Sequence, residues 1–459
     1  MTENFDAIII GAGQAGPPLA GRLTGAGMRV ALIERKLFGG TCVNTGCMPT
    51  KTLVASAYAA HLARRSAEYG IMIESPISID MKRVKARAET VSTNARTNLE
   101  KWLRSMDGLT VIEGHARFEG PDTVRAGERL LRSPRVFINV GGRANIPDMP
   151  GVGTVSYLTN TSILQLDTLP RHLVVIGGSY IGLEFAQMYR RFGAEVTIVE
   201  KGPRLISRED EDVSDAIRDI LVDEGITVRT DATCIGFKPH TEGVSVDVDC
   251  TSGDPAVVGS HVLLAIGRRP NTEDLGLDRA GVAMDQRGYI RVDDTLATNV
   301  PSIWALGDCN GRGAFTHTAY NDFEIVAANL LDDASRKVSE RLLGYALYID
   351  PPLGRVGMTE AEARGSSRRI LVSKRPMTRV GRAIEKGETK GFIKLVADAE
   401  TKKILGAAIL GTGGDEAIHG ILDMMNVDAV YPDLQWAVPI HPTVSELIPT
   451  VIGDLRPSD

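Results

Sequence analysis

Cysteine is scarce. Five in 459 residues are too few for a disulfide scaffold, so a pair standing close together is expected to carry chemistry instead of holding the chain in shape. No stretch approaches the roughly 18 apolar residues that a membrane helix needs. The opening MTENFDAIII has acids where a secretory signal has bases. Basic runs are missing and the net charge is −6, which argues against nucleic acid or an anionic membrane surface as partner. A cytoplasmic protein is expected. With 43% hydrophobic residues over this length, the chain is too long for one core and long enough for three or four domains.

Two of the cysteines sit together. Cys42 and Cys47 lie five positions apart in GGTCVNTGCMPTK, after a glycine turn and before a helix-like run from Thr50 to Arg65. Backbone N–H groups and the helix dipole at such a place favour a thiolate, the nucleophilic form of sulfur. The pair can close into a small disulfide ring. Buried structural thiols and half of a zinc site are the other readings. Zinc needs two more soft ligands, and no second pair with such spacing exists, so no metal site is assigned.

Residues 5–34 read as strand, glycine turn, helix and strand. Gly11 permits the tight turn, Gly13 lets a pyrophosphate approach the backbone, Gly16 lets helix pack on strand, and Glu34 can accept from ribose hydroxyls. Pro17 and Pro18 fit the first helical turn. At residue 172 the pattern returns. HLVVIGGSYIGLEFAQMYRRFGAEVTIVE aligns without a gap on DAIIIGAGQAGPPLAGRLTGAGMRVALIE, and Gly11 to Glu34 and Gly177 to Glu200 each span 23 positions. Two modules imply two dinucleotides. Gly177, Gly178 and Gly182 keep the second turn, but Ser179 stands where Gly13 stands in the first and puts a side chain against the approaching pyrophosphate. Glu200 favours a free 2′-hydroxyl and therefore NADH, while Lys201 and Arg204 are placed to take the 2′-phosphate of NADPH instead.

Further along, LLAIGRR (263–269), with Gly267, closes the second module. A short apolar strand, IWAL, runs into Gly307-Asp308, and Cys309 beside it reads as a packed thiol. Thr316 and His317 precede a helical run whose N-terminal N–H groups can stabilise negative charge. From about residue 340 strands alternate with turns, followed by helical runs at 415–425 and 444–452. His441 starts the last of these with Glu446 five positions on, an acid able to hold the imidazole and raise its basicity.

The motif GGTCVNTGCMPTK resembles the redox-active disulfide of the class I pyridine nucleotide-disulfide oxidoreductases, the flavoproteins that include dihydrolipoamide dehydrogenase, glutathione reductase and mercuric reductase. Five motifs in the family's order extend the resemblance from residue 5 to about 452. It implies an α/β fold with two Rossmann-like dinucleotide-binding domains, for FAD and NAD(P), plus a C-terminal α+β dimerisation domain. The implied boundaries are 1–148 for the FAD domain with the disulfide, 149–270 for the NAD(P) domain, 271–338 for a segment completing the FAD domain, and 339–459 for the interface domain of a homodimer.

By the same resemblance, electrons pass from NAD(P)H through FAD to Cys42–Cys47, with Cys47 nearest the flavin and Cys42 the interchange thiol. Lys51 and Glu184 form an ion pair beside flavin and nicotinamide, and His441 with Glu446, from the other subunit, handles protons. Gly11, Gly13, Gly16, Glu34, Thr41, Lys51, Asp308, Thr316 and His317 belong to the cofactor sites, as do Gly177, Gly178, Ser179, Tyr180, Gly182, Glu200 and Gly267. Asp308 corresponds to the acid that holds the ribityl hydroxyls, and Tyr180 to a lid over the flavin that nicotinamide displaces.

CMPTKTL, GDC and SRED look closer to the mercuric-reductase-like and reactive-chlorine-resistance branch than to lipoamide dehydrogenase. Pro439 replaces a histidine found in many lipoamide dehydrogenases. No cysteine follows Cys309, whereas mercuric reductase uses a terminal cysteine pair, so poor mercury turnover is expected. The acceptor is a metal ion, a small oxidant or a disulfide. Dihydrolipoamide dehydrogenase is the alternative enzyme. A redox sensor without turnover is the alternative of another class, and the His441/Glu446 dyad argues against it.

Overall fold

Ala7–Ile10 and Val30–Glu34 are apolar runs buried along nearly their whole length, as strands become when helices cover both faces of a parallel sheet. The computed structural model describes residues 2–249 and 252–458, and places these two strands inside a five-stranded parallel sheet. Its order is Ile303–Ala305, Val136–Ile138, Ala7–Ile10, Val30–Glu34, Leu109–Glu113. The chain therefore leaves this sheet, builds a second one, and returns to pair Ile303–Ala305 with Val136–Ile138.

The second sheet is also parallel, in the order Thr227–Arg229, Glu195–Val199, His172–Ile176, His261–Leu264. Each sheet has its helix straight after the glycine turn, Gly16–Gly25 in the first and Tyr180–Phe192 in the second. Pro17 and Pro18 occupy the first turn of the former, where a missing N–H leaves no intrahelical bond unmade. A third sheet of six antiparallel strands follows. Its long central strands, Phe392–Asp398 and Ile404–Leu410, are almost wholly buried, and Gly414–Asn426 packs Ile418 and Ile421 into the same core. Two nucleotide-module sheets and a C-terminal antiparallel sheet with helices make the α/β plus α+β architecture that the motifs imply.

Several boundaries differ from the sequence reading. The helix expected from Thr50 begins at Cys47 and is preceded by a short helix, Gly40–Thr45. Gly46 separates the two with φ −135° and ψ −120°, and a Cβ there would lie 2.9 Å from the Thr41 carbonyl oxygen. Thr316 and His317 lie inside the first turn of Thr316–Leu331 instead of before it. The last helical run is a 3-10 turn, Ser445–Leu447, and then Ile448–Gly453. Pro449 in the first turn of that helix sets its start, because proline fits there and not further in. Among the described residues no helix is long and apolar enough to cross a membrane.

Candidate functional site

The first and third glycines of each turn are fixed by the protein's own packing. A Cβ on Gly11 would lie 2.3 Å from the Asn139 carbonyl oxygen, and one on Gly16 would lie 2.3 Å from that of Gly11. In the second module the matching contacts are Gly177 to Ala265 at 2.5 Å and Gly182 to Gly177 at 2.1 Å. Gly13 is different. A Cβ there meets nothing nearer than Asn139 Nδ2 at 3.4 Å, so this position is kept small for what the cradle admits and not for what packs beneath it. That is the form a pyrophosphate seat requires, and the residues fit FAD. Ser179, its counterpart, is exposed and caps no backbone N–H.

The two acids grip their own turns. Glu34 accepts from the N–H of Ala12 and of Lys36, both at 2.8 Å, and Glu200 accepts from Gly178 at 2.6 Å and Gly202 at 2.7 Å. The sequence reading has them as acceptors for ribose only. Each carboxylate oxygen keeps a second lone pair, so a ribose hydroxyl still has a place to donate.

The sulfur pair is fastened to the first cradle. Gly39 N–H donates to the Ala12 carbonyl at 2.8 Å, Gln14 Nε2 donates to the Gly39 carbonyl at 3.1 Å, and a Cβ on Gly40 would sit 2.9 Å from Gly13 Cα. Cys42 lies on the short helix, and Cys47 is the first residue of Cys47–Arg64. Both are free cysteines. Cys47 Sγ is 3.2 Å from Thr316 Oγ1, a contact between the sulfur and the helix that sequence reasoning assigned to the flavin alone.

Charge follows from this geometry. A hydrogen bond from the Cys42 thiol brings Cys47 down to about 6 against the effect of burial, with Thr316 and the Lys51 cation helping. That same bond, followed by burial, pushes the Cys42 thiol up. The proton rests on Cys42 and the negative charge on Cys47, at a helix N-terminus that favours it.

Lys51 and Glu184 meet as the motifs imply, Nζ to Oε2 at 2.7 Å. Glu184 is buried, and its other oxygen accepts from Tyr348 N–H at 3.0 Å, while Lys51 Nζ lies 4.7 Å from the Tyr348 ring centroid. A buried carboxylate with one cation and one N–H is held in a single orientation. This ion pair joins the cysteine helix to the helix of the second module.

A cavity of about 330 Å³ opens beside these elements, lined by Gly142, Arg268, Asp308, Gly311, Phe315 and Tyr345 among others. Asp308 sits on a single turn after the strand Ile303–Ala305; burial raises its carboxyl, and Arg268, 3.6 Å away, works against the rise. Arg268 donates to the Gly142 carbonyl and lies 3.5 Å from the Thr41 hydroxyl, which places Thr41 at the cavity's edge. Gly267 needs its φ of +101° to turn the chain here. Tyr180 begins the second module's helix, its ring edge-on to Phe315 at 6.0 Å and to Tyr345 at 5.3 Å. His317 Nε2 donates to the Gly344 carbonyl oxygen at 2.8 Å, and so carries the ring proton.

His441 and Glu446 pair at 2.8 Å, Nδ1 to Oε2. The imidazole is 79% exposed, and among the described residues it bonds to nothing but Glu446, so one chain does not bring the dyad to the sulfurs. Trp436, Val438 and Ile440 just before it are also exposed. Sequence reasoning missed Asn139, whose Nδ2 donates to the Gly11 carbonyl at 3.2 Å. The glycine pair Gly141-Gly142 just after it is the local signal that could have marked its neighbourhood.

Two dinucleotide cradles with a low-pKa thiol at their junction define a flavoprotein oxidoreductase of the two-nucleotide class. Residues 5–322 match the pyridine nucleotide-disulphide oxidoreductase family and residues 344–452 match its dimerisation domain, and the chain belongs to this family. It is 35% identical over 452 residues to the probable pyridine nucleotide-disulfide oxidoreductase RclA of Escherichia coli, covering 97% of this chain and 98% of that one. A mercuric reductase of Bacillus cereus is 32% identical, covering 96% and 70%, and a dihydrolipoyl dehydrogenase of Zymomonas mobilis is 32% identical, covering 97% of each. The solved Cu(II) complex of the HOCl-induced flavoprotein disulfide reductase RclA from Escherichia coli superposes with a TM-score of 0.90 at 34% identity, over 98% of this chain and 99% of that one. The protein is thus an FAD-dependent, NAD(P)H-dependent oxidoreductase.

Proposed function

We propose that the chain works as a cytoplasmic homodimer that spends NADH to reduce a small thiol-reactive acceptor, a metal ion or small oxidant before a disulfide, through Cys42 and Cys47. The observation that carries this is the 2.7 Å Lys51–Glu184 pair, which ties the helix bearing Cys47 to the helix that starts at the nicotinamide module's glycine turn. Bound FAD, seated by Gly11, Gly13, Gly16, Glu34 and Asp308, supplies the two-electron link between nicotinamide and sulfur. The RclA structure's description as HOCl-induced and as a Cu(II) complex favours the metal-ion and small-oxidant acceptors.

Cys47 holds its charge at the helix N-terminus, and Cys42 keeps the proton until the acceptor arrives. With a disulfide acceptor, Cys42 attacks one sulfur, the other leaves as a thiolate, and Cys47 then displaces the first to close the Cys42–Cys47 bond. Two electrons leave the pair, and two product thiols require two protons. His441 of the partner subunit, held by its Glu446, takes the Cys42 proton and returns it to the leaving sulfur, and the second proton comes from solvent because Cys47 starts as a thiolate. A metal ion or small oxidant makes less demand on that dyad.

The test is NADH turnover by the holoenzyme on Cu(II), Hg(II), hypothiocyanous acid, lipoamide and glutathione disulfide, in the native protein and in Cys42→Ser and His441→Ala. Cys42→Ser should lose turnover with every acceptor. His441→Ala should lose about 10²- to 10⁴-fold with disulfides and much less with metal or oxidant. Undiminished turnover in Cys42→Ser would overturn the sulfur route, and lipoamide as the best acceptor would favour the dihydrolipoyl dehydrogenase reading.

A further inference from the structure

The geometry points to Tyr345 as a positioning residue for nucleotide entry: clamped by Glu209 and Arg355, it forms the wall against which Tyr180 closes. The inference deepens the proposed function and rests on Tyr180 being a movable lid over the nicotinamide site.

Tyr180 has the marks of a ring with two positions. Its hydroxyl is buried and makes no hydrogen bond of good geometry, with only the Tyr345 hydroxyl and Arg208 as polar neighbours, a condition that disfavours the place it occupies. What keeps the ring there is aromatic contact, edge-on to Tyr345 at 5.3 Å and to Phe315 at 6.0 Å, with the Arg208 guanidinium 5.7 Å from its centroid. Tyr345 and Phe315 are themselves stacked at 5.7 Å, with an interplanar angle of 12°, and both line the cavity that holds Asp308.

Unlike Tyr180, Tyr345 is anchored. Its hydroxyl bonds to Glu209, whose other carboxylate oxygen receives Arg355 Nε at 3.1 Å; the side chains of Arg355 and Glu209 are 1% and 0% exposed. The clamp is tied in turn to the nucleotide module. Ile206 N–H donates to the Gly178 carbonyl at 2.8 Å, inside the glycine turn, and Glu209 N–H donates to Ile206 at 2.9 Å. Ile206 holds this turn with φ +46°, a conformation a β-branched residue takes only when its surroundings impose it. The segment from Ile206 to Asp210 therefore runs from the glycine turn to the lid: Arg208 touches Tyr180, Glu209 fixes Tyr345, and Asp210 accepts from the backbone of Ala361 at 3.0 Å. A nucleotide that settles on the turn acts on the same segment that holds the lid's wall.

Two conservative variants of the holoenzyme are expected to move the KM for NADH in opposite directions. Tyr345→Phe keeps the ring and cuts its bond to Glu209, which loosens the closed lid, so KM should fall by about threefold to tenfold with kcat little changed. Tyr180→Phe removes the poorly bonded hydroxyl and makes the closed place more comfortable, so KM should rise. Thermal unfolding measured alongside separates a merely structural role, which would lower Tm in Tyr345→Phe and leave KM where it was; that result overturns the clamp. A shift in Tyr180→Phe with none in Tyr345→Phe keeps the lid and discards the clamp, and no shift in either discards both.

Discussion

The two glycine turns repeat one construction and differ in what they are joined to. In both, the first glycine abuts a carbonyl just past a strand that pairs with its own, the third glycine abuts the first, and the acid 23 positions on from the first bonds back into the turn. The first turn carries Gly13 against Gly40 and so welds its cradle to the sulfur pair. The second carries Ser179 exposed at the matching place and is braced by Ile206. A cradle locked to the reactive thiols suits a cofactor that stays. A cradle that tolerates a side chain at its mouth, on a turn braced by a separate segment, suits a nucleotide that comes and goes.

The largest effect expected from this contrast is chemical. Cys47, joined to the first cradle, titrates near 6, whereas Cys309, buried near the same cradle, is pushed up to about 12. The sign is that of a depressed acid: the thiolate and the stabilisation it adds are present above the ordinary thiol range and are lost as pH falls through about 6. At pH 7 the reduced protein should expose about 30-fold more thiolate at Cys47 than an ordinary thiol would. Iodoacetamide labelling against pH, with the modified residue located by peptide fragmentation, checks this. A midpoint near the ordinary thiol value, or prior labelling of Cys309, would contradict the assignment of charge to Cys47.

A second way to break the contrast is to damage the weld. Gly40 has φ +61° and its Cβ would meet Gly13 Cα at 2.9 Å, so Gly40→Ala pushes on the first cradle alone. FAD affinity should fall by about 10-fold or more, while the dissociation constant of NADH for the flavin-loaded protein holds within about twofold. Equal losses of both would show that the two cradles are not independent. Next in size is the choice of nucleotide. Glu200→Ala removes negative charge from the place where a 2′-phosphate would lie and should narrow the NADH preference in kcat/KM by about 10-fold. A native enzyme that already prefers NADPH would transfer the choice to Lys201 and Arg204.

How much of this was legible in the sequence depends on whether a feature is local. The turns, their acids and the cysteine pair are patterns of spacing, and the chain brings them to the places that spacing implies. The cysteine helix starts three residues earlier than the expected Thr50, because Pro49 lies within its first turn, where proline is accepted. The contact between Thr316 and Cys47 spans 269 positions and leaves no local mark. Asn139 and Tyr345 were passed over for a similar reason: an amide after a strand and a tyrosine within one carry no signature until a glycine carbonyl or a buried Glu209 stands opposite. His441 is exposed and paired only with Glu446 among the described residues, so the role proposed for it rests on a second copy that no single sequence displays.

The smallest expected effect sharpens the contrast most directly, since it restores the one fingerprint glycine that the second turn lacks. Ser179 is exposed at the head of Tyr180–Phe192 and bonds to no N–H of that helix, so removing its side chain gives up no cap. Ser179→Gly should let the nucleotide's pyrophosphate come closer to the N-terminal N–H groups, where the helix dipole favours its charge. The added flexibility of glycine in the free protein opposes that gain. The net result should be about twofold to fivefold tighter NADH binding, measured by titration of the flavin-loaded protein, with slower release of NAD⁺. The converse change, Gly13→Ser, has only Asn139 near its Cβ, Nδ2 nearest at 3.4 Å, so the first fold is left intact and the loss falls on FAD. Should Ser179→Gly weaken NADH binding, the serine hydroxyl would be a ligand to the pyrophosphate, and the second turn would differ from the first by an added contact instead of a missing glycine.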